Sequence, residues 1–172
     1  MVNQPKVLAQ LALHEGIKLR IYIDTEGNDT TGIGYNITSR GFDFLDRTLG
    51  RQVAHTKGVD ILTRAEALTV CAADIARVEQ AVIVHWPFYV KLDEIRQRVA
   101  IDMAINMGFS ALGFKNAIAA IERHDWSQAA RELYKSKWAL QVGDGEGGKF
   151  DRCDRLARML LTGQAPTDIP AI

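Results

Sequence analysis

His14-Glu-Gly-Ile-Lys-Leu-Arg-Ile-Tyr-Ile-Asp-Thr-Glu-Gly27, followed closely by Thr30-Thr-Gly-Ile-Gly-Tyr-Asn-Ile37, is the stretch that decides how the rest of the chain is read. The periodicity changes within it. Upstream, Pro5 stands where a first helical residue would, and Val7, Leu8, Leu11 and Ala12 recur at helical spacing. Gly16 directly after Glu15 is a helix terminator, so a helix over about 4–14 ends at His14 or Glu15. Leu19–Ile23 then alternates and is β-branched, Asp24–Asp29 is turn chemistry, and Thr30–Ile37 predicts a second strand. Gly32 and Gly34 weaken that strand and mark a place where a ligand or another group can approach the backbone.

Outward from this hairpin the pattern becomes helical. Residues 38–62 are punctuated by Gly41, Gly50 and Gly58 and hold a modest apolar face, which predicts a strand or a short helix. Thr63-Arg-Ala-Glu66 is a capping box, and the Ala-rich pattern behind it runs to about Val84 before Trp86-Pro87 stops it. Helix is predicted again over Leu92–Met107, Leu112–Arg123, Trp126–Leu133 behind an Asp125 cap, and Phe150–Leu161 before Gly163. Gly143–Gly148 reads as a flexible loop and Thr167–Ile172 as a tail. The expected fold is α+β and mainly helical. A small N-terminal lobe with a short antiparallel sheet (about 14–62, beside helix 4–14) is joined by a long helix (about 63–84) to a helical C-terminal lobe (about 85–172).

The composition, 47% hydrophobic and 24% charged, is that of an ordinary globular protein, and 172 residues suffice for one domain. Lys plus Arg equals Asp plus Glu at 21 each, which gives no signal for nucleic acid as a partner. No apolar run approaches the ~20 residues of a membrane span, and no secretion signal opens the chain. Cys71 and Cys153 lack any metal-binding spacing and fall in apolar helical patterns, so buried free thiols are expected. No metal or cofactor is expected.

Glu15 and Asp24 are the first candidates for chemistry. Cleaving a glycosidic bond takes one carboxyl to protonate the leaving oxygen and usually a second to manage water or a cation-like transition state. A Glu at a helix end and an Asp at the following hairpin can serve one site, although spacing alone would fit solvated surface residues. The surrounding motif is far more specific. Glu15-Gly16, Tyr22-x-Asp24 and Thr30-x-Gly32-x-Gly34 resemble, at fixed offsets, the active-site hairpin of the phage-type lysozymes, glycoside hydrolase family 24. The resemblance continues through Ala104-Ile-Asn-Met-Gly108, Gly113-Phe-Lys-Asn116, Asp125-Trp-Ser-Gln-Ala-Ala130, Lys135-Ser-Lys-Trp138 and Asp151-Arg-Cys-Asp-Arg155, covering about residues 5–163.

The resemblance implies a cleft between the lobes and a muramidase that hydrolyses the β-1,4 bond between N-acetylmuramic acid and N-acetylglucosamine in bacterial peptidoglycan, with inversion. It implies Glu15 as general acid, Asp24 as second carboxylate, Thr30 as the hydroxyl that places water, and Arg152 as the partner of Glu15. A guanidinium favours a neighbouring carboxylate's ionised form whereas a general acid acts protonated, so Arg152 is read as a positioning residue. Gly34, Tyr35, Asn36, Asn106, Met107, Ala117 and Glu132 fall at positions implied to line the substrate site. The chain departs from the family at Tyr35, where the relative compared has His, removing a pH-sensitive ion pair. It departs again at Ala117 and Glu132, where that relative has small polar residues, and at the longer Gly143–Gly148 segment, which is similar to a Gly-Gly-Lys loop of the lambdoid branch. An endolysin-like monomer is expected, made in the host bacterial cytoplasm and reaching the wall through a membrane lesion.

Other readings are weaker. His14-Glu15 has no His at position 18 for a zincin, Asp144-Gly-Glu146 lacks an EF-hand's ligands, and Cys71 has no paired base. Trp86, Trp126 and Trp138 are expected in the core, and the charges of the 63–84 helix (Arg64, Glu66, Asp74, Arg77, Glu79) on a solvated face. A lytic transglycosylase or a non-catalytic wall-binding protein on the same scaffold remain alternatives. The Glu–Asp–Thr set speaks against both.

Overall fold

The computed structural model describes residues 1–108, 114–143 and 151–169. Its elements are α1 (Gln4–Glu15), β1 (Lys18–Ile23), β2 (Asp29–Gly32), β3 (Tyr35–Asn36), α2 (Ile37–Arg40), α3 (Asp43–Leu49), α4 (Arg64–His85), a 3-10 turn (Pro87–Lys91), α5 (Glu94–Met107), α6 (Lys115–Glu122), α7 (Trp126–Tyr134), α8 (Lys137–Val142) and α9 (Arg152–Thr162). The described residues are 63% helical with one small antiparallel sheet, which makes this the mainly helical α+β fold expected. By their internal contacts the residues group into two compact units, Gln4–Arg77 and Met1–Asn3 with Val78–Ile169.

In the first unit, β1, β2 and β3 form an antiparallel sheet in that order. Tyr22 pairs with Thr30, Thr30 with Asn36, and Thr31 with Tyr35, with a bulge in β1 between Lys18 and Tyr22. The single second strand predicted over 30–37 is therefore two strands. Gly32 and Gly34 take left-handed backbone (φ 64° and 66°), which folds the chain back on itself between them. The 38–62 region resolves into α2 and α3 followed by a long connection. Asn36 caps α2 by accepting a hydrogen bond from Ser39 N (2.9 Å). Ile21, Tyr35, Ile37, Leu45, Val53, Ile61, Leu62, Ala67 and Val70 form the core of this unit, tying the sheet to the first turns of α4.

The capping box at the start of α4 is formed in both directions: Glu66 N donates to Thr63 Oγ1 (3.2 Å) and Thr63 N to Glu66 Oε2 (2.7 Å). The face of α4 expected to be solvated is so only in part: Arg64 and Arg77 are exposed, but the acidic residues are covered or paired. Glu79 is buried (1% exposed) and accepts from Val2 N (2.6 Å) and the Tyr89 hydroxyl (2.7 Å), while Asp74 and Glu66 engage arginines. Sequence periodicity assigns a charge to a face but cannot see which neighbour will cover it.

In the second unit α7 packs on α6 and α9, and α5 on α9. Val99, Ile101, Met103, Leu133, Leu156, Met159 and Leu160 lie wholly inside. Helix α5 starts two residues later than predicted, because the Asp93 side chain accepts from Arg96 N (3.0 Å) and so caps it. Asp151 likewise caps α9 by accepting from Asp154 N (2.9 Å), in place of the Phe150 start. Asp125 caps α7 as expected (Gln128 N, 3.0 Å). Helix α8 was not predicted; Ser136 caps it within the Lys135–Trp138 motif. Of the tryptophans only Trp138 belongs to the core (5% exposed). Trp126 is half-buried, with the Arg96 guanidinium 4.0 Å over its ring and His124 stacked at 5.0 Å; Trp86 is half-buried too. The tail is tethered by Asp168, which accepts two bonds from Arg155 (2.7 and 2.9 Å). Cys71 and Cys153 are buried free thiols, as read. The predicted Gly143–Gly148 loop, apart from Gly143, and the first residues of the Leu112–Arg123 helix lie outside the described residues.

Candidate active site

The end of α1 positions Glu15. Gly16 takes a left-handed turn (φ 70°) and donates back to Ala12 O (3.1 Å), closing the helix and sending the chain into β1. The Glu15 side chain lies against the backbone of Gly34. A Cβ built there would stand 3.0 Å from its carboxyl carbon and 3.1 Å from Oε2. Any larger residue would push Glu15 aside, which is the close approach the glycine motif announced.

Asp24 occupies the turn after β1 and organises it. Its Oδ1 accepts from Asn28 N (2.8 Å) and Glu26 N (2.9 Å); its Oδ2 faces Asn28 Nδ2 (3.3 Å) and the Thr30 hydroxyl (3.2 Å). These bonds, led by that from the Asn28 backbone, hold the Asp24 carboxyl below its ordinary range, outweighing the opposing effect of burial. Asp24 is thus ionised with one oxygen fixed by backbone and the other beside Thr30. Thr30 itself is buried (3% exposed) in the middle strand of the sheet.

Tyr35 has its ring stacked on Phe44 (5.9 Å) and its hydroxyl donating to Gly41 O (3.0 Å). The Arg40 guanidinium lies over both rings and forks onto Asp74 (2.7 and 2.8 Å). An arginine does not titrate in the range where histidine does, so the ionic lock of this unit is pH-insensitive near neutrality. Cys71, on α4, has its thiol pushed up to about 12 by burial, then by the charges of Asp74 and Glu15, and is inert.

Tyr22, quoted above as part of the hairpin motif, was given no role of its own in the sequence reading. Burial raises its hydroxyl above the ordinary value, and the charges of Glu15 and Asp24 raise it further, so it lies in the field of both carboxylates. The signal was its in-register pairing with Thr30, hidden because a tyrosine in an alternating segment reads as strand propensity. Asn28, which supplies both a backbone and a side-chain donor to Asp24, was also passed over as turn composition.

Glu15, Asp24, Thr30, Gly34, Tyr35 and Asn36 are thus gathered in the first unit. The remaining predicted residues belong to the second. Arg152 is buried (6% exposed) and grips Asp102 Oδ1 through Nε (2.9 Å) and a terminal nitrogen (2.8 Å). Asn106 is exposed and accepts from Trp138 Nε1; Met107 is half-buried. Ala117 is buried (1% exposed), so its methyl packs in the core and does not present itself to a sugar. Glu132 accepts from Gln128 Nε2 (2.6 Å), Lys135 Nζ (3.3 Å) and Asn116 Nδ2 (3.4 Å), a network a ligand would have to rearrange. Among the described residues no group of three or more His, Cys, Asp or Glu could hold a metal ion.

Residues 12–152 match the family model described as phage lysozyme. The chain is 30% identical over 163 residues to probable T4-type lysozyme 1 of Dictyostelium discoideum, covering 89% of this chain and 92% of that one. It is 30% identical to probable T4-type lysozyme 2 of the same organism over 142 residues, 77% of this chain and 84% of the relative. A third similarity, 28% over 158 residues and 87% of this chain, is to the pre-baseplate central spike protein Gp5 of Enterobacteria phage T4, of which it spans 26%. With a matching helical α+β fold and an acidic hairpin built as above, the chain belongs to the phage lysozyme family, glycoside hydrolases that act on peptidoglycan.

Proposed function

We infer that the protein is an inverting muramidase, cleaving the β-1,4 bond between N-acetylmuramic acid and N-acetylglucosamine, with Glu15 as general acid and Asp24 and Thr30 governing the water. The observation that carries this is the 3.2 Å contact of the Thr30 hydroxyl with Asp24 Oδ2, on a carboxylate kept ionised by backbone donors. In the inferred reaction the Glu15 carboxyl protonates the glycosidic oxygen as the C–O bond breaks. Water held between Thr30 and Asp24 attacks the anomeric carbon from the opposite face, and its proton passes to Asp24. The charge on Asp24 also stabilises the cation-like transition state. Arg152 is a positioning residue in this scheme, held by Asp102. Release from the host cytoplasm through a membrane lesion, in the manner of an endolysin, is part of the same proposal.

The test is digestion of purified sacculi by wild type and by Glu15→Gln, with products weighed and their anomers followed by NMR. Hydrolysis predicts new reducing ends of inverted configuration. An anhydro product, one water lighter, would establish a transglycosylase instead, and equal clearing by Glu15→Gln would remove Glu15 from its role.

A further inference from the structure

We propose that Tyr22 is a substrate-positioning residue of this enzyme, its hydroxyl donating a hydrogen bond to the sugar at the cleaved linkage and its ring held in place by Lys18. The proposal rests on the mechanistic reading of Glu15 and Asp24 above and adds a contact to it.

The geometry comes from the sheet. Tyr22 on β1 is the cross-strand partner of Thr30 on β2, and Thr30 is that of Asn36 on β3. Residues directly opposite in an antiparallel pair put their side chains on the same face. Tyr22, Thr30 and Asn36 therefore form one row across the sheet, and the middle member carries the hydroxyl that meets Asp24. Asn36 is committed to capping α2, leaving Tyr22 at the β1 end of the row. Its ring is half-buried, and the Lys18 ammonium sits 3.9 Å from the ring centroid. Such a cation is attracted to the ring face and helps hold the ring in its place.

The hydroxyl makes no hydrogen bond to any described residue, so its donor is available to a ligand. Burial and the charges of Glu15 and Asp24 both favour its protonated form, so it can donate wherever an ordinary tyrosine hydroxyl does. A neutral donor in the field of two carboxylates suits the hydroxyl and ring oxygens of a sugar. It adds no charge that would disturb either acid.

Tyr22→Phe removes the hydroxyl and keeps the ring and its Lys18 contact. With soluble glycan strands prepared from peptidoglycan and reducing-end release as readout, kcat/KM is expected to fall roughly three- to tenfold, carried mainly by KM, as for one neutral hydrogen bond. The thermal midpoint should stay at the wild-type value. Lys18→Met should move KM in the same direction by less. Glu15→Gln is assayed alongside. If it is inactive while Tyr22→Phe keeps kcat/KM within about twofold of wild type, the tyrosine has no such role and the mechanism stands. A lowered midpoint with unchanged KM would make Tyr22 merely structural and equally overturn the proposal. Activity retained by Glu15→Gln would overturn the underlying mechanism, and this inference with it.

Discussion

At the residue scale the site depends on a few side chains whose surroundings leave little latitude. Glu15→Gln keeps the shape of the carboxyl but cannot give up its proton as an acid does, and should lower the rate of wall digestion by about a hundred- to ten-thousand-fold. Gly34 is as constrained as the carboxylate it supports. Its left-handed backbone and the 3.0 Å approach of Glu15 leave no room for a methyl. Gly34→Ala should therefore cost about 1–2 kcal/mol from the left-handed conformation alone. It should also depress activity by displacing Glu15, seen as a lower melting midpoint together with a lower kcat. These residues were recognisable in the sequence because the motif joins several rigid requirements: a helix stop, a carboxylate that caps its own turn, and a glycine beneath a side chain. Tyr22 belongs to the same motif, but the role proposed for it comes from its register with Thr30, which no local pattern signals.

At the element scale, helix ends and buried pairs govern stability. The Thr63–Glu66 box at the start of α4 is reinforced by Arg51, whose Nε donates to Glu66 Oε1 (2.6 Å). The Arg51 bond, then those from Thr63, lower the Glu66 carboxyl to about 2. A depressed carboxylate stabilises the fold above its unfolded value near 4 and loses that contribution as pH falls toward 2. Melting curves of wild type and Glu66→Gln should thus differ at neutral pH and converge between about pH 4 and pH 2. The Asp102–Arg152 pair joins α5 and α9 in the interior. Asp102→Ala takes a carboxylate from a buried guanidinium and should cost about 3–5 kcal/mol in chemical denaturation. Element starts and stops were legible where a cap announced them, as at Thr63, Asp125 and Gly163. They were missed at Asp93 and Asp151, where the apolar residue just before the cap, Leu92 or Phe150, was read as the first helical position.

At the scale of the whole molecule, equal numbers of acidic and basic residues leave no long-range field to draw the enzyme to an anionic wall. Initial rates on purified sacculi should change by less than about threefold between roughly 50 and 200 mM salt. A steep fall would show that a local basic cluster steers binding despite the neutral total. Near neutrality the first unit should likewise show little pH dependence of stability from the Tyr35 region, because its ionic lock is Arg40 with Asp74 and position 35 holds a tyrosine rather than a histidine.

The sequence by itself determined the class of fold and the hairpin, and singled out Glu15, Asp24 and Thr30 as the proposed acid, second carboxylate and threonine. The elements follow from short-range rules of periodicity, capping and turn chemistry; the three proposed roles follow from the resemblance of the hairpin motif to the phage lysozymes. Only the tertiary structure decided what covers Glu79, which carboxylate holds Arg152, that Ala117 faces inward, and that Tyr22 stands in line with Thr30. Those outcomes depend on contacts between residues far apart in the chain, where packing and desolvation choose among partners that local sequence leaves equivalent. Even Glu15, the plainest residue in the motif, owes its exact seat to Gly34, nineteen positions away on the other side of a turn.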